Sequence, residues 1–135
     1  MIPLKLLSFY IKLERRKGMT EKQFENKVKE YLHKQGCWVL KTWSNGVQRE
    51  GIPDLLVCCN GYFLGIELKA EKGKPTDLQI WNIKRINQAY GFGFVLRPSN
   101  FELFKSFITL LNADISYYAA RDILKKFEGD YYESI

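Results

Sequence analysis

The stretch that decides the fold runs Gly51-Ile52-Pro53-Asp54-Leu55-Leu56-Val57-Cys58-Cys59-Asn60-Gly61-Tyr62-Phe63-Leu64-Gly65-Ile66-Glu67-Leu68-Lys69. Asn60-Gly61 sits between two apolar runs. A type I′ turn needs positive φ at both central residues, and Asn-Gly is the strongest short signal for it. The stretch therefore reads as a hairpin of two strands, Asp54 to Cys59 and Tyr62 to Lys69. Counting outward from an unshifted two-residue turn, Cys59 opposes Tyr62 and Asp54 opposes Glu67. Side chains alternate along a strand. Leu64, Ile66 and Leu68 share one face, and Phe63, Gly65, Glu67 and Lys69 share the other. The first set suits a buried face. The second ends in a carboxylate and an ammonium, which should line an opening or bind something, because a buried charge is costly unless paired or metal-bound.

Working toward the N-terminus, Trp43 to Gly51 is polar and reads as a loop, and Cys37 to Thr42 as a short strand. Thr20 and Gln23 form a capping box. Phe24, Val28 and Leu32, with Tyr31, recur at helical spacing, so residues 21–34 read as an amphipathic helix that Gly36 ends. Met19-Thr20 looks like a second beginning, with residues 1–18 as a basic extension. Toward the C-terminus, Glu71 to Pro75 is a charged loop. Thr76 and Gln79 form another capping box for a helix to about Tyr90, which Gly91 closes. Phe92 to Arg97 is a fourth strand stopped by Pro98. Ser99 or Asn100 caps a helix to about Leu111. Residues 112–135 form a tail with one more helical stretch and a polar, tyrosine-containing end.

The order α-β-β-β-α-β-α implies an α/β fold. The hairpin makes strands 2 and 3 antiparallel, and a crossover through a helix makes strands 3 and 4 parallel. The expectation is a mixed four-stranded sheet flanked by helices, carried by residues 19–111.

Composition narrows the class without naming a function. With 135 residues, 46% hydrophobic and 15% aromatic, the chain is one domain with a core of its own. Three cysteines, two of them adjacent, make no disulfide framework, and one histidine argues against a structural zinc site. A reducing, cytoplasmic setting follows. No apolar run is long enough to span a membrane. The net charge is +6, but residues 1–18 hold five bases and one acid and so supply +4 of it. The remaining +2 is weak evidence for a polyanionic partner.

The chemistry rests on the hairpin register. Directly opposed residues have Cβ atoms roughly 4.5–5.5 Å apart, so Asp54 and Glu67 would repel unless a cation lay between them. Two converging carboxylates suit Mg²⁺, with waters and a phosphate completing the octahedron. Such an ion activates water and neutralises a phosphodiester, and Lys69 beside it would hold the attacking water or the developing negative charge. Each piece has a plainer reading. A Glu-x-Lys pair on a strand is common, and Gly-x-Pro-Asp alone is usually a turn. The two joined in phase by one hairpin are much less ordinary.

Gly51-Ile52-Pro53-Asp54 followed by Glu67-Leu68-Lys69 resembles the active-site signature of the PD-(D/E)XK nuclease superfamily, and the element order resembles its restriction-endonuclease-like core. Within it the chain looks most like the VRR-NUC domain in its small stand-alone form of phages and prophages, a Holliday junction resolvase-like type. The resemblance implies that Asp54 and Glu67 ligate Mg²⁺ or Mn²⁺ with the Leu68 carbonyl. It implies that Lys69 is the catalytic lysine. It implies that Glu25 reaches in from the first helix and that Gln79 faces the site from the second. It also implies a substrate-side loop over Ser44 to Glu50. Ser44, Arg49 and Lys72 are candidate DNA-binding residues; Arg49 and Lys72 could contact phosphates, although charged loop residues are usually just solvated.

Plainer roles stand beside these. Glu25 could be an exposed helix carboxylate, and Gln79 could serve only its cap. Trp81 reads as core rather than a base-stacking platform, His33 as a helix-surface residue, and Cys58 and Cys59 as strand filler. Phe101 to Leu111 and the tail with Tyr117 and Tyr118 could be a dimer surface or core. The expected function is a DNA endonuclease for branched substrates such as Holliday junctions or flaps. It would work as a two-fold homodimer, in the cytoplasm of a bacterial host and with no membrane partner. The alternatives are a non-catalytic DNA-binding module on the same fold, or an RNA- or restriction-type nuclease.

Overall fold

In the computed structural model Asn60 and Gly61 adopt φ of 50° and 85°, so the turn is of the primed kind expected. The structure describes residues 3–8, 18–43, 50–114, 117–129 and 131. Its elements are α1 (Glu21–Lys34), β1 (Trp38–Lys41), β2 (Leu55–Cys59), β3 (Tyr62–Leu68), α2 (Asp77–Gln88), β4 (Phe92–Leu96), a 3-10 turn (Pro98–Asn100), α3 (Phe101–Asn112) and α4 (Tyr117–Leu124). A single helical turn at 4–8 precedes them. The sheet order is β1-β2-β3-β4. β1-β2 and β2-β3 are antiparallel, and β3-β4 is parallel. The mixed four-stranded sheet flanked by helices is therefore present.

Both capping boxes form. Thr20 N–H donates to Gln23 Oε1 at 3.0 Å, and Thr76 N–H to Gln79 Oε1 at 2.8 Å. Each threonine hydroxyl in turn accepts from the glutamine N–H. One sheet face packs on α1 and α3, where Leu55, Val57, Leu64, Ile66, Phe92 and Phe94 meet Phe24, Val28, Leu32, Phe104 and Phe107. Phe101, Phe104, Phe107, Ile108 and Leu111 are all buried, so the apolar face of α3 is core. Ala120 and Leu124 of α4, and Phe127 after it, join the same cluster.

The other face is covered by α2, and it is covered very closely. A Cβ on Gly65 would lie 2.5 Å from Ile86 Cδ1, and one on Gly93 would lie 2.8 Å from the Ile83 carbonyl oxygen. These two glycines are register partners on β3 and β4. Together they form a slot that takes the Ile86 side chain and lets the helix backbone approach the sheet at Gly93. Buried Asn87 then serves Gly93 on the outer edge of β4. Its Oδ1 accepts from Gly93 N–H at 2.8 Å, and its Nδ2 donates to Gly93 O at 2.9 Å. That satisfies backbone groups an edge strand would otherwise leave open.

Several sequence expectations need correction. α2 closes on Tyr90, whose φ is 68°, and not on Gly91. Gly91 matters for space, since a Cβ there would lie 2.9 Å from Ile86 Cγ2. Asn100 does not cap α3 with its side chain; its Oδ1 accepts from Arg97 N–H at 2.8 Å. Trp81 is 54% exposed rather than core. At 3.6 residues per turn it lies nearly opposite Ile83, the buried side of α2. His33 is on the surface, as expected, and Cys58 is exposed while Cys59 is buried.

The Gly93→Ala variant tests the slot. The added methyl meets backbone that cannot rotate away, so about 1–3 kcal/mol of stability should be lost. Chemical denaturation would measure it, and an unchanged midpoint would show that α2 has room to spare.

Candidate active site

The register of the hairpin carries directly to the candidate acids. Leu55 pairs with Ile66, so the next step outward places Asp54 against Glu67. No bulge separates them, which was the geometric condition for the two to converge. Asp54 sits just before β2 and is fixed from three sides. Its Oδ2 accepts from Leu68 N–H at 2.9 Å. Its carbonyl accepts from Thr42 N–H at 2.9 Å, and the Thr42 hydroxyl donates to Pro53 O, also at 2.9 Å. The preceding turn is clamped by α2, through Asn82 Nδ2 donating to Gly51 O at 2.9 Å. Gly51 has φ of +80°, and a Cβ there would lie 2.5 Å from Leu78 Cγ. No other residue fits that position without displacing α2.

Glu67 differs from the sequence expectation in one respect. It does not line an open cleft, because it is only 1% exposed. Its Oε2 is buried with no hydrogen-bond partner. Oε1 lies 3.7 Å from Lys69 Nζ. Burial pushes its pKa up to about 8, the Asp54 carboxylate adds to that, and Lys69 only partly offsets it. A buried oxygen without a partner is expensive, and its position beside a second carboxylate suits a cation.

The donors fit a hard divalent ion. Asp54 and Glu67 supply carboxylate oxygens, and the Leu68 main chain is already bonded to Asp54. Magnesium takes one or two carboxylates and completes its shell with water and substrate phosphate. Among the described residues no group of three or more His, Cys, Asp or Glu side chains gathers as a metal cluster. The third candidate acid, Glu25, is otherwise engaged. It is buried, with Lys22, Lys29 and Lys41 at 2.8, 3.3 and 2.7 Å. Burial alone would raise its pKa, but the hydrogen bonds from these lysines outweigh that and bring it down to about 2.

Glu25 is joined to the site through Lys41, whose Nζ also lies 3.5 Å from Asp54 Oδ1. Sequence reasoning missed Lys41. The available signal was its place at the end of β1, opposite Leu55 and so one step from Asp54. A second missed residue is Arg97. Its Nη1 donates to the carbonyls of Ala70 and Glu71 at 2.6 and 3.0 Å, fixing the chain just after Lys69. Glu128 holds the guanidinium in place through two contacts of 2.6 and 2.8 Å. The segment beyond α4 thus tethers the loop behind the lysine.

The remaining expected residues are less drawn in. Gln79 is half-buried at the start of α2, with Oε1 committed to its cap. Lys72 is an exposed loop residue. Ser44 and Arg49 lie outside the described residues, as does most of the expected substrate-side loop.

A mixed sheet of this order, with helices on both faces, is the core of the PD-(D/E)XK nucleases. The family model for the archaeal Holliday junction resolvase (Hjc) matches residues 13–89, and the chain belongs to that family of nucleases. No curated protein and no solved structure matches the chain. The family match covers α1, the hairpin and α2, and it begins inside the basic extension. β4, α3 and α4 lie beyond it.

The pKa directions give a stability test in EDTA. Glu67 has a folded value raised to about 8 from the ordinary 4.5. The folded state therefore holds the proton more tightly than the unfolded one. Its contribution to stability should be greatest below about pH 4.5, fall through the window up to pH 8, and then level off. Glu25 works the other way and withdraws its contribution only as pH drops toward 2. Glu67→Gln should therefore unfold at a higher temperature than the parent at pH 8.5 and near the parent value at pH 5. Equal melting temperatures at pH 8.5 would contradict the buried-carboxyl assignment.

Proposed function

We propose that this protein is a Mg²⁺- or Mn²⁺-dependent endonuclease that hydrolyses phosphodiester bonds in branched DNA, with Holliday junctions as its substrate class. The observation that carries the reading is the buried, unpartnered Oε2 of Glu67, the residue that the hairpin register sets against Asp54. The family membership supplies the junction.

Asp54 and Glu67 would hold the ion, with the Leu68 carbonyl as a further oxygen. The bound ion would supply an activated water and neutralise charge on the scissile phosphate. Lys69 presents its ammonium 3.7 Å from Glu67 Oε1. There it steadies the attacking water or the charge that grows on the phosphate oxygens. Lys41 balances Asp54 from the α1 side, and Glu25 holds Lys41 in place. Gln79 has its oxygen engaged, so its amide Nε2 is the donor it brings to the site. Lys72, with Arg49 and Ser44, would contact phosphates. Residues 19–111 form the nuclease unit, with residues 1–18 a basic extension and 112–135 the tail. The VRR-NUC likeness extends the role to replication or recombination of phage DNA in a bacterial cytoplasm. Resolution of a junction cuts two strands of like polarity, so the working form is a two-fold pair.

Cleavage of four-way, flap and linear DNA would test this. Activity should need Mg²⁺ or Mn²⁺, favour the four-way substrate, and fall by about 10²–10³-fold in Lys69→Ala, the scale of losing one electrostatic donor. Asp54→Ala should fall at least as far. Metal-dependent cutting that survives both substitutions would overturn the assignment. Metal binding without cutting of any substrate would point to a binding module instead.

A further inference from the structure

Glu25 holds more cations than its charge requires. Lys22 and Lys29 share its Oε2 at 2.8 and 3.3 Å, and Lys41 takes Oε1 at 2.7 Å. Lys22 lies three residues before Glu25 and Lys29 four after, so α1 puts all three on one face. Lys41 arrives from the end of β1. One lysine would balance the carboxylate. The other two leave an excess of two positive charges around a single side chain. Residues 19–135 as a whole carry only +2, so this surplus is concentrated rather than spread. Ammonium groups crowded on one carboxylate repel each other, and helix-surface ion pairs return little. Pairing with Glu25 therefore accounts for one lysine and not for the gathering of three.

Their donors are also largely unspent. An ammonium carries three N–H groups. Lys22 and Lys29 meet no other carboxylate among the described residues, and Lys41 meets only Asp54 besides, at 3.5 Å. The Glu25 side chain is 7% exposed, against 28% for Lys29 and Lys41 and 71% for Lys22. The acid is the base of the cluster, and the lysines face solvent. Once Asp54 shares its charge with a divalent ion, Lys41 is left to Glu25 alone and the surplus is felt in full.

We propose that Lys22, Lys29 and Lys41, gathered on Glu25, bind a backbone phosphate of DNA next to the phosphate that is cut. Glu25 is then a positioning residue and not a metal ligand. A phosphate diester offers charged oxygens that accept from several ammonium donors at once. Lys41 fixes where it lies, because its Nζ contacts both Glu25 and Asp54. The cluster and the candidate metal pair are therefore one side chain apart. A contact of this kind orients the strand and reads no bases, which suits a substrate defined by its shape. The choice of DNA rests on the nuclease reading. The anion site rests on the lysines.

Binding of four-way DNA in EDTA, followed by anisotropy across a series of salt concentrations, tests the site with no cleavage in play. The variant is Lys22→Ala with Lys29→Ala. Alanine suits both helix positions, and Lys41 remains to hold Glu25, so circular dichroism and melting should stay close to the parent's. Affinity should fall about 10-fold at 0.1 M salt, the share of one phosphate contact, and the slope of log K on log salt should shrink by about one. Lys27→Ala with Lys34→Ala removes the same charge from the opposite side of α1 and should leave the slope unchanged. Equal losses from the two pairs would mean a diffuse field and overturn the site. So would no loss, or a parent that does not bind.

A neutral methylphosphonate, moved one position at a time around the branch point, locates the phosphate. One position should weaken the parent and leave the double variant indifferent, as coupled partners do; no such position would overturn the proposal. Calorimetry with Mn²⁺ and no DNA decides the role of Glu25. Glu25→Gln should keep the parent's affinity, and Asp54→Ala should lose it. A loss in Glu25→Gln as large as in Asp54→Ala would make Glu25 a ligand and overturn its positioning role. A parent that binds no Mn²⁺ would sink the nuclease reading and leave the salt and methylphosphonate results to judge the phosphate site.

Discussion

α2 lies on the sheet with its Ile83 backbone against Gly93 and its Ile86 side chain over Gly65, and most of what distinguishes this structure follows from that approach. The helix brings Ile86 onto β3 and Ile83 onto β4. Its first turn lays Leu78 against Gly51 and sends Asn82 to the Gly51 carbonyl. The turn before Asp54 is thereby fixed by an element that follows it in sequence by more than 20 residues. Packing density in protein interiors leaves no slack for such contacts to loosen. The side chains of Gly51, Gly65 and Gly93 are absent because the helix occupies their space.

Burial sets the electrostatics of the candidate site. Glu67 shares its face of β3 with Gly65 and is only 1% exposed. Desolvation is the largest influence on it, and the facing Asp54 acts in the same direction. The candidate acids Glu25 and Glu67 behave oppositely. Glu25 is surrounded by three lysines and stays ionised far into acid. One carboxyl is satisfied by protein cations and the other is left wanting one. That contrast separates a residue that organises Lys41 from a residue suited to an ion. It is the kind of divergence that marks functional sites.

Much of this could be read from the sequence, because its strongest signals were local. Asn60-Gly61 needs only its own backbone preference to set the register, and the register alone puts Asp54 opposite Glu67. Thr20 with Gln23, and Thr76 with Gln79, cap their helices with no help from elsewhere. What could not be read depends on contacts between distant segments. Lys41 matters because β1 pairs with β2, and a lysine at a strand end carries no mark of that. Arg97 and Glu128 lie 31 residues apart. Trp81 looked like core because tryptophan usually is, but the buried side of α2 is set by where Gly65 and Gly93 admit it. The burial of Glu67 was missed for the same reason. Strand alternation assigns a face, and only packing decides whether that face is wet.

The close approach of α2 has one more consequence, for what remains uncovered. A helix of about 10 Å can shield only two strands of about 4.8 Å spacing, and the glycine slot commits α2 to β3 and β4. β1 and β2 then present Trp38, Leu40 and Phe63 outward. Moving the helix toward β1 would cover those side chains, but it would release Gly51. The chain cannot satisfy both needs with one helix. Clamping the turn before Asp54 and leaving an apolar half-sheet are therefore the same structural choice.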